Sequence, residues 1–445
     1  MQTSIYKQFW KYTIPTVAAM LVNGLYQVVD GIFIGRYVGA DGLAGINVAW
    51  PMIGSILGLG MLVGVGTGSL VSIQQGKQDN QGAKQILATG LLLLIALVPV
   101  VSALLFLFAD DFLRWQGAEG RVFELGLQYL HILIGASVFT LGSIAMPFLL
   151  RNDESPNIAT FLMVVGAVVN IVLDYLLIAL WGWELTGAAL ATAIAQGVVT
   201  LLGFAYFFSS HAKLRLQWKD LRLNLATIPN IFAIGASSFF MYAYGSMMVA
   251  LHNALFSQYG DQLMIGAYAI LGYIVTVYYL TAEGIANGMQ PLVSYNHGAR
   301  NQQNIRKLLK VAMYSSVLVG VVFVVLLNLF PTQFVSVFNK EDAQLVEYTV
   351  LGIRLHMFAL ALDGFLVVAG AYYQAINKGS KAMFVTVGNM LIQLPFLYIM
   401  PKLFGVPGIW IAYPLSNIAL SVVVMTMLWK DVKRFQVTPG EQATA

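Results

Sequence analysis

The sequence predicts an all-α integral membrane protein of twelve transmembrane helices. They are expected in two six-helix bundles related by a pseudo-twofold axis along the membrane normal. Three observations carry that expectation. Only 10% of residues are charged and 58% are hydrophobic, with a mean hydropathy of +0.75, whereas a soluble chain carries about 25% charge. Apolar runs of about 20 residues, the length that crosses a bilayer, recur twelve times. A short motif also recurs at an offset of 222 residues, half of the 445-residue chain.

The apolar runs begin near Phe9, Leu43, Ile86, Val122, Asn157, Leu185, Pro229, Gln262, Leu308, Leu345, Ala382 and Val406. The run from Leu43 to Gln74 is long enough to hide a break. The first run is too long, and too polar inside, for a cleaved signal peptide. With no Cys in the chain, disulfides, thiolate metal sites and Cys nucleophiles are excluded.

Lys and Arg set the orientation. With the N-terminus in the cytoplasm, 18 basic residues fall in cytoplasmic segments and 5 in outer loops. Both termini are therefore expected in the cytoplasm, in a bacterial-type inner membrane. Arg151 counts among the cytoplasmic residues, and Arg354 lies in or near the tenth span. The domain expectation is an N-lobe over 1–210, a basic linker over 211–228, a C-lobe over 229–430 and a cytoplasmic tail over 431–445. The linker's charge reads as a solvated loop obeying the positive-inside bias rather than a lipid-binding patch.

The duplication rests on Leu70-Val71-Ser72-Ile73-Gln74-Gln75-Gly76, which recurs as Leu292-Val293-Ser294-Tyr295-Asn296-His297-Gly298. Gly64 and Gly68 precede one copy, Gly284 and Gly288 the other, and Val165-Gly166 is echoed by Val387-Gly388. Six spans per half place the halves in the same orientation around a central cavity.

Four acids fall inside spans: Asp30, Asp174, Glu283 and Asp363. An aspartate at mid-membrane costs about 2.5 to 3.5 kcal/mol on insertion scales, so such residues face a cavity and mark an ion or proton path. Asn23, Gln27 and Asp30 share one helical face with Tyr26 a turn before Asp30. Asn170 and Asp174 are four apart, as are Thr192 and Gln196. If these helices converge, they make a pocket of hard oxygen groups. Two adjoining carboxyls in low dielectric do not both ionise easily, which makes the pair a proton carrier. The same oxygens suit a hard cation such as Na+. Spacing alone does not choose between them.

Glu283 and Asp363 are candidates for a second site, each with packing as the alternative. Met241, Tyr244 and Tyr273 belong to an aromatic and Met-rich stretch that reads either as a pliable substrate wall or as lipid-facing surface. Gln27 and Asn23 are further cavity candidates. His131, His252 and His356 stand as isolated structural histidines with no metal-ligand spacing. Pro15 removes a backbone donor and invites a bend in the helix carrying Asp30, or else is a first-turn proline. No nucleotide loop, metal cluster or nucleophile motif is present, so no enzyme is expected and energy should come from an ion gradient.

These features resemble the multidrug and toxic compound extrusion (MATE) family, and its DinF-like branch in particular. The resemblance covers nearly the whole chain. It is carried by Pro15, by Tyr26-x3-Asp30 followed by Gly35 and Gly39, and by Asn170-x3-Asp174 with Thr192. Gln290-Pro291-Leu292-Val293-Ser294-Tyr295-Asn296 before Gly298-Ala299-Arg300 is its most specific stretch. It implies a V-shaped multidrug exporter coupled to a cation gradient. Tyr26, Asp30, Asn170, Asp174 and Thr192 would form the N-lobe cation or proton site, and Pro15 the bending point. The sodium branch's acid in the seventh helix is replaced here by Met241, which leaves a C-lobe site partial around Asp363.

The expected partners are small-molecule drugs or organic cations, H+ or Na+, and membrane lipid, with no nucleic acid. A monomer is expected, with no cofactor beyond the ion gradient. The alternatives are Na+ coupling at the same site, or a lipid-linked precursor flippase. The flippase needs a cationic cavity, for which Arg354 is the candidate.

Overall fold

The computed structural model describes residues 4–434; the tail expected at 431–445 lies outside them beyond Arg434. Six elements build the first half: α1 (Ile5–Tyr37), α2 (Ala40–Gly76), α3 (Asn80–Trp115), the pair α4 (Gly120–Gly135) and α5 (Ser137–Asn152), α6 (Pro156–Asp174) and α7 (Glu184–Phe208). Then come α8 (Ile228–Tyr259), α9 (Gln262–Gly298), α10 (Gln302–Leu329), the short α11 (Pro331–Ser336), the pair α12 (Ala343–His356) and α13 (Leu360–Ala375), α14 (Gly379–Phe404) and α15 (Val406–Arg434). Among the described residues ten helices are long and apolar enough to cross a membrane, and counting each of the two bent pairs as one span brings the number to twelve.

Helix starts follow local chemistry that the sequence spells out. Asp79 accepts from Gly82 N at 2.9 Å, Asn301 from Asn304 N at 3.1 Å, and Asp342 from Gln344 N and Leu345 N. Each carboxylate or amide oxygen occupies an N–H that the first turn leaves unpaired. α2 runs unbroken, so the suspected interruption between Leu43 and Gln74 is absent.

The interruptions lie elsewhere. α4 and α5 meet at 64° around Ala136, and α12 and α13 at 54° across residues 357–359. The two breaks are separated by the repeat offset, so both halves share one broken fourth span. Neither site carries Pro; the sequence reading ran straight through both.

The repeated motif is the seam between the halves. Gly76 backs onto the Tyr295 carbonyl, and Gly298 onto that of Ile73. A Cβ at either glycine would lie 1.9 Å from that oxygen, which is why the backbones need glycine there. Above this seam, Gly284 and Gly288 pack across it on Val17 and Thr13 of α1. Gly64 and Gly68 pack within their own half on Ala145 and Asn152, so the flanking glycines are not equivalent as expected.

Gln290 ties the seam with polar bonds. Its amide donates to Ser69 Oγ at 3.0 Å, Asn152 Oδ1 at 3.2 Å and Ser294 Oγ at 2.9 Å, and Asn152 Nδ2 donates back to Gln290 Oε1 at 3.1 Å. Ser72 donates to Asn152 Oδ1 at 2.7 Å. Both described chain ends lie at this face: Ile5 and Val432 border one apolar cluster, and Arg306 donates to the Val432 carbonyl.

The linker is more than a solvated loop. Its basic residues Lys213, Arg215, Lys219 and Arg222 are exposed, but the alternate residues Leu214 and Leu216 are buried. Asp153 clasps it, accepting from Lys213 N and Leu214 N at 2.9 Å each and from Tyr206 OH at 2.8 Å. Lys213 also pairs with Glu154. The segment therefore belongs to the first half's packing.

Candidate ion-coupling site and cavities

Two cavities open between the halves beyond the seam. The first, about 280 Å³, is lined by Asn23, Tyr26, Gln27, Asp30, Asn170 and Thr192 of the predicted set, with Gln196 and Tyr129 beside them. The second, about 360 Å³, is lined by Met241, Tyr244, Asp363, Tyr279, Asn389 and Tyr413. Glu283, Asn287 and Met61 border both.

The N-lobe acids converge, a condition that the four-residue spacings had left open. α1 and α6 are level at Pro15 and Thr160, where Thr160 Oγ1 donates to the Pro15 carbonyl at 2.8 Å. From there Asp30 and Asp174 lie nearly the same number of turns along their helices, and the two carboxyls adjoin. Asp174 is fully buried at the last turn of α6, where the backbone opens into a π-helical turn over Tyr175–Leu180. Such turns recur at functional positions. Asn170 donates from Nδ2 to Thr192 Oγ1 at 3.3 Å.

What this cluster lacks is donors. Neither Asp174 oxygen, nor Asp30 Oδ1, nor Asn170 Oδ1 has a hydrogen-bond partner among the described residues. Four buried acceptors at one place is an arrangement folded proteins avoid unless something else fills it. Protons or a cation of hard-oxygen preference are the species that do so.

The C-lobe acid is in the opposite condition. Asp363 is 4% exposed. Its Oδ2 accepts from Tyr279 OH at 2.7 Å, and its Oδ1 accepts from Asn417 Nδ2. Tyr279 OH in turn lies 3.4 Å from Tyr413 OH. Both oxygens are thus occupied by the protein itself. Glu283 sits where the cavities meet, on the α9 face that packs against α1.

Pro15 lies inside α1, which continues unbroken past it, so it is not a first-turn proline. Met241 and Tyr244 line the second cavity and not the first. Tyr273 lines neither cavity: it is 64% exposed and stacks on Phe338 at 6.0 Å. Its place on the outer surface follows from helical phase, with Val277 one turn on equally outward. The aromatic stretch therefore divides between cavity wall and outer surface.

The histidine and cation expectations also change. His252 and His356 are not isolated: their rings lie 5.9 Å apart, boxed by Tyr268 and Trp410. Each donates from Nδ1 to a carbonyl at 2.8 Å, Met248 and Trp410 respectively. His131 is exposed against Phe106. Arg354 is exposed, outside both cavities. The cation buried at a cavity is Arg151 instead, 2% exposed and lining the first cavity. The loop count had taken it for one of the basic residues of the cytoplasmic segments, with no sign of its burial. Tyr129, 4% exposed beside Thr192, is the other site residue that sequence reasoning missed; a lone aromatic inside a span carries no signal.

Comparison with known proteins agrees with this architecture. The family model MatE matches residues 15–176 and again 237–399, two stretches beginning 222 residues apart. The multidrug export protein MepA of Staphylococcus aureus is 26% identical over 97% of this chain and 95% of its own length. That of Staphylococcus saprophyticus is 24% identical over the same shares. A solved MOP superfamily transporter from Pyrococcus furiosus superposes with a TM-score of 0.92 at 23% identity, over 98% of this chain and 97% of its own. A MATE family transporter described as outward-facing gives 0.92 at 23% identity over 97% of each chain. Since both family matches fall on this chain's paired halves and cover most of it, the chain belongs to the MatE family, and is a membrane transporter rather than an enzyme.

Proposed function

We propose that the protein is a secondary active multidrug exporter, antiporting organic, often cationic and amphiphilic compounds against H+ by alternating access. The coupling proton is carried by the Asp30–Asp174 pair, with Tyr26, Asn170 and Thr192 around it. One observation carries the reading: among the described residues three buried N-lobe carboxyl oxygens, Asp30 Oδ1 and both of Asp174, have no donor, while both oxygens of Asp363 are satisfied. An acid without donors must recruit a proton or ion, and one already held by Tyr279 and Asn417 has no such need. Supporting the substrate class are the similarity to the multidrug export protein MepA and a mixed apolar and polar cavity wall. The excess of Lys and Arg at the face bearing both chain ends supports a cytoplasmic seam in the inner membrane.

A second reading has Na+ at the same place. The unpartnered Asn170 Oδ1 favours it, because an amide oxygen ligates a cation but takes no proton at neutral pH.

The test is ethidium transport in proteoliposomes under a pH gradient alone and under a Na+ gradient alone. Transport driven by pH, and lost in Asp30→Asn while the variant still reconstitutes, is expected. Transport driven by Na+ alone moves the assignment to the second reading. Wild-type rates in Asp30→Asn refute the site.

A further inference from the structure

Arg151 is the buried cation that this cycle leaves unused. It lies in the last turn of α5, 2% exposed, and lines the first cavity. It lies beside Asn152, so it stands where the cavity meets the seam. Its guanidinium makes no hydrogen bond or ion pair with a described residue, and its Nη2 is fully buried without a partner.

The surroundings hold the charge without consuming its donors. The Phe148 ring lies 4.6 Å from Cζ, and the carbonyl end of α5 favours a cation. The neighbouring Asp153 carboxylate accepts from the linker and Tyr206 and forms no ion pair with Arg151. Glu283 lines the same cavity but forms no ion pair with it; the three ion pairs among the described residues lie elsewhere. Beside these polar groups the cavity lining includes the apolar side chains Met20, Leu57, Met61 and Met163.

A planar fork of five donors matches the paired oxygens of a carboxylate, phosphate or sulfonate. We propose that Arg151 forms an anion subsite at the seam end of the N-lobe cavity. The cargo held there is an amphiphile carrying such an oxyanion, bound bidentately by the guanidinium with its apolar body along the methionine wall. This rests on the exporter reading and narrows its substrate class.

The test compares rhodamine 110, which has a free carboxylate, with its methyl ester rhodamine 123. Binding of each is measured to the full chain in phosphatidylcholine nanodiscs. The wild type is expected to prefer the acid by about tenfold or more, the scale of a charge-assisted bidentate pair. Arg151→Gln should abolish the preference by weakening acid binding, with ester binding, which also reports folding, changed less than about twofold. Arg151→Lys, which keeps the charge but not the fork, should retain part of it.

Repeating the measurement with phosphatidylglycerol in the discs separates two sources of the anion. Competition by that lipid in the wild type, but not in Arg151→Gln, assigns the subsite to a lipid phosphate; no competition assigns it to cargo. Equal wild-type affinity for the two dyes, or an acid preference surviving Arg151→Gln, overturns the inference. Either result leaves ethidium transport, and with it the exporter reading, to be judged separately.

Discussion

Adding one methyl group to the seam should shift the conformational balance of the transporter. A Cβ on Gly298 would lie 1.9 Å from the Ile73 carbonyl oxygen, where ordinary contact begins near 3.4 Å, so α2 and α9 must part by the difference of 1.5 Å. Overpacking a core costs about 1–3 kcal/mol. The obstacle here is backbone, which cannot swing aside, so Gly298→Ala belongs near the upper end, about 3 kcal/mol. That penalty applies only while the two copies of the motif are packed together. At tenfold per 1.4 kcal/mol it shifts the balance about 100-fold toward conformations in which the halves part at this face.

The chain has no Cys, so the shift is readable by labelling. Ser69, fully buried at the seam, is replaced by Cys and reacted with a membrane-impermeant maleimide. In the Gly298→Ala background its labelling from the face bearing the chain ends should rise by about two orders of magnitude. Gly76→Ala, whose Cβ would meet the Tyr295 carbonyl at the same 1.9 Å, should behave alike. An unchanged labelling rate together with an unchanged Tm would show that the seam yields at no cost, and would refute the reasoning.

Three further outcomes are expected. Asp363→Asn leaves one acceptor oxygen for the two donors Tyr279 and Asn417 and should cost about 1–3 kcal/mol in thermal stability, while transport keeps its pH-gradient dependence. Tyr273→Leu, on the outer surface, should leave ethidium KM unchanged, whereas Tyr244→Leu, in the second cavity wall, should move it. Burial holds the Asp153 carboxyl above its ordinary 3.8 despite its three donors. The native state therefore keeps a proton that the unfolded chain has lost, so this contribution is full below the ordinary value and disappears as pH rises through the raised one. A Tm series should show that decline in the wild type, and Asp153→Asn should lack it and be about 1–3 kcal/mol less stable at neutral pH.

The N-lobe cluster was legible because charge inside an apolar run is costly and helical spacing is regular. Asp30 with Gln27 and Asn23, and Asp174 with Asn170, announce both their faces and their depth. The seam was legible as repeated sequence, though not as a contact between the two copies. Arg151 was hidden by the rule that finds loops: a basic residue after an apolar run reads as cytoplasmic. Here the run breaks at Ala136, and the last turn of α5 stays buried against α2. No Pro marked that break or its mate before Leu360, so neither gave a signal in the sequence. His252 and His356 are 104 residues apart in sequence, and only the fold of the second half brings their rings together. Tyr273 and Tyr244 look alike in the sequence; helical phase against neighbours decides which meets the cavity.

The central claim is that Asp30 and Asp174 hold the exchangeable proton. Proton release on ethidium binding, followed with a pH indicator in weakly buffered detergent solution, tests it most directly. About one proton per protein should be released by the wild type, because adjoining buried carboxyls share one. The release should vanish in Asp30→Asn and in Asp174→Asn and persist in Asp363→Asn. Undiminished release from both N-lobe variants, or its loss in Asp363→Asn alone, would contradict the account.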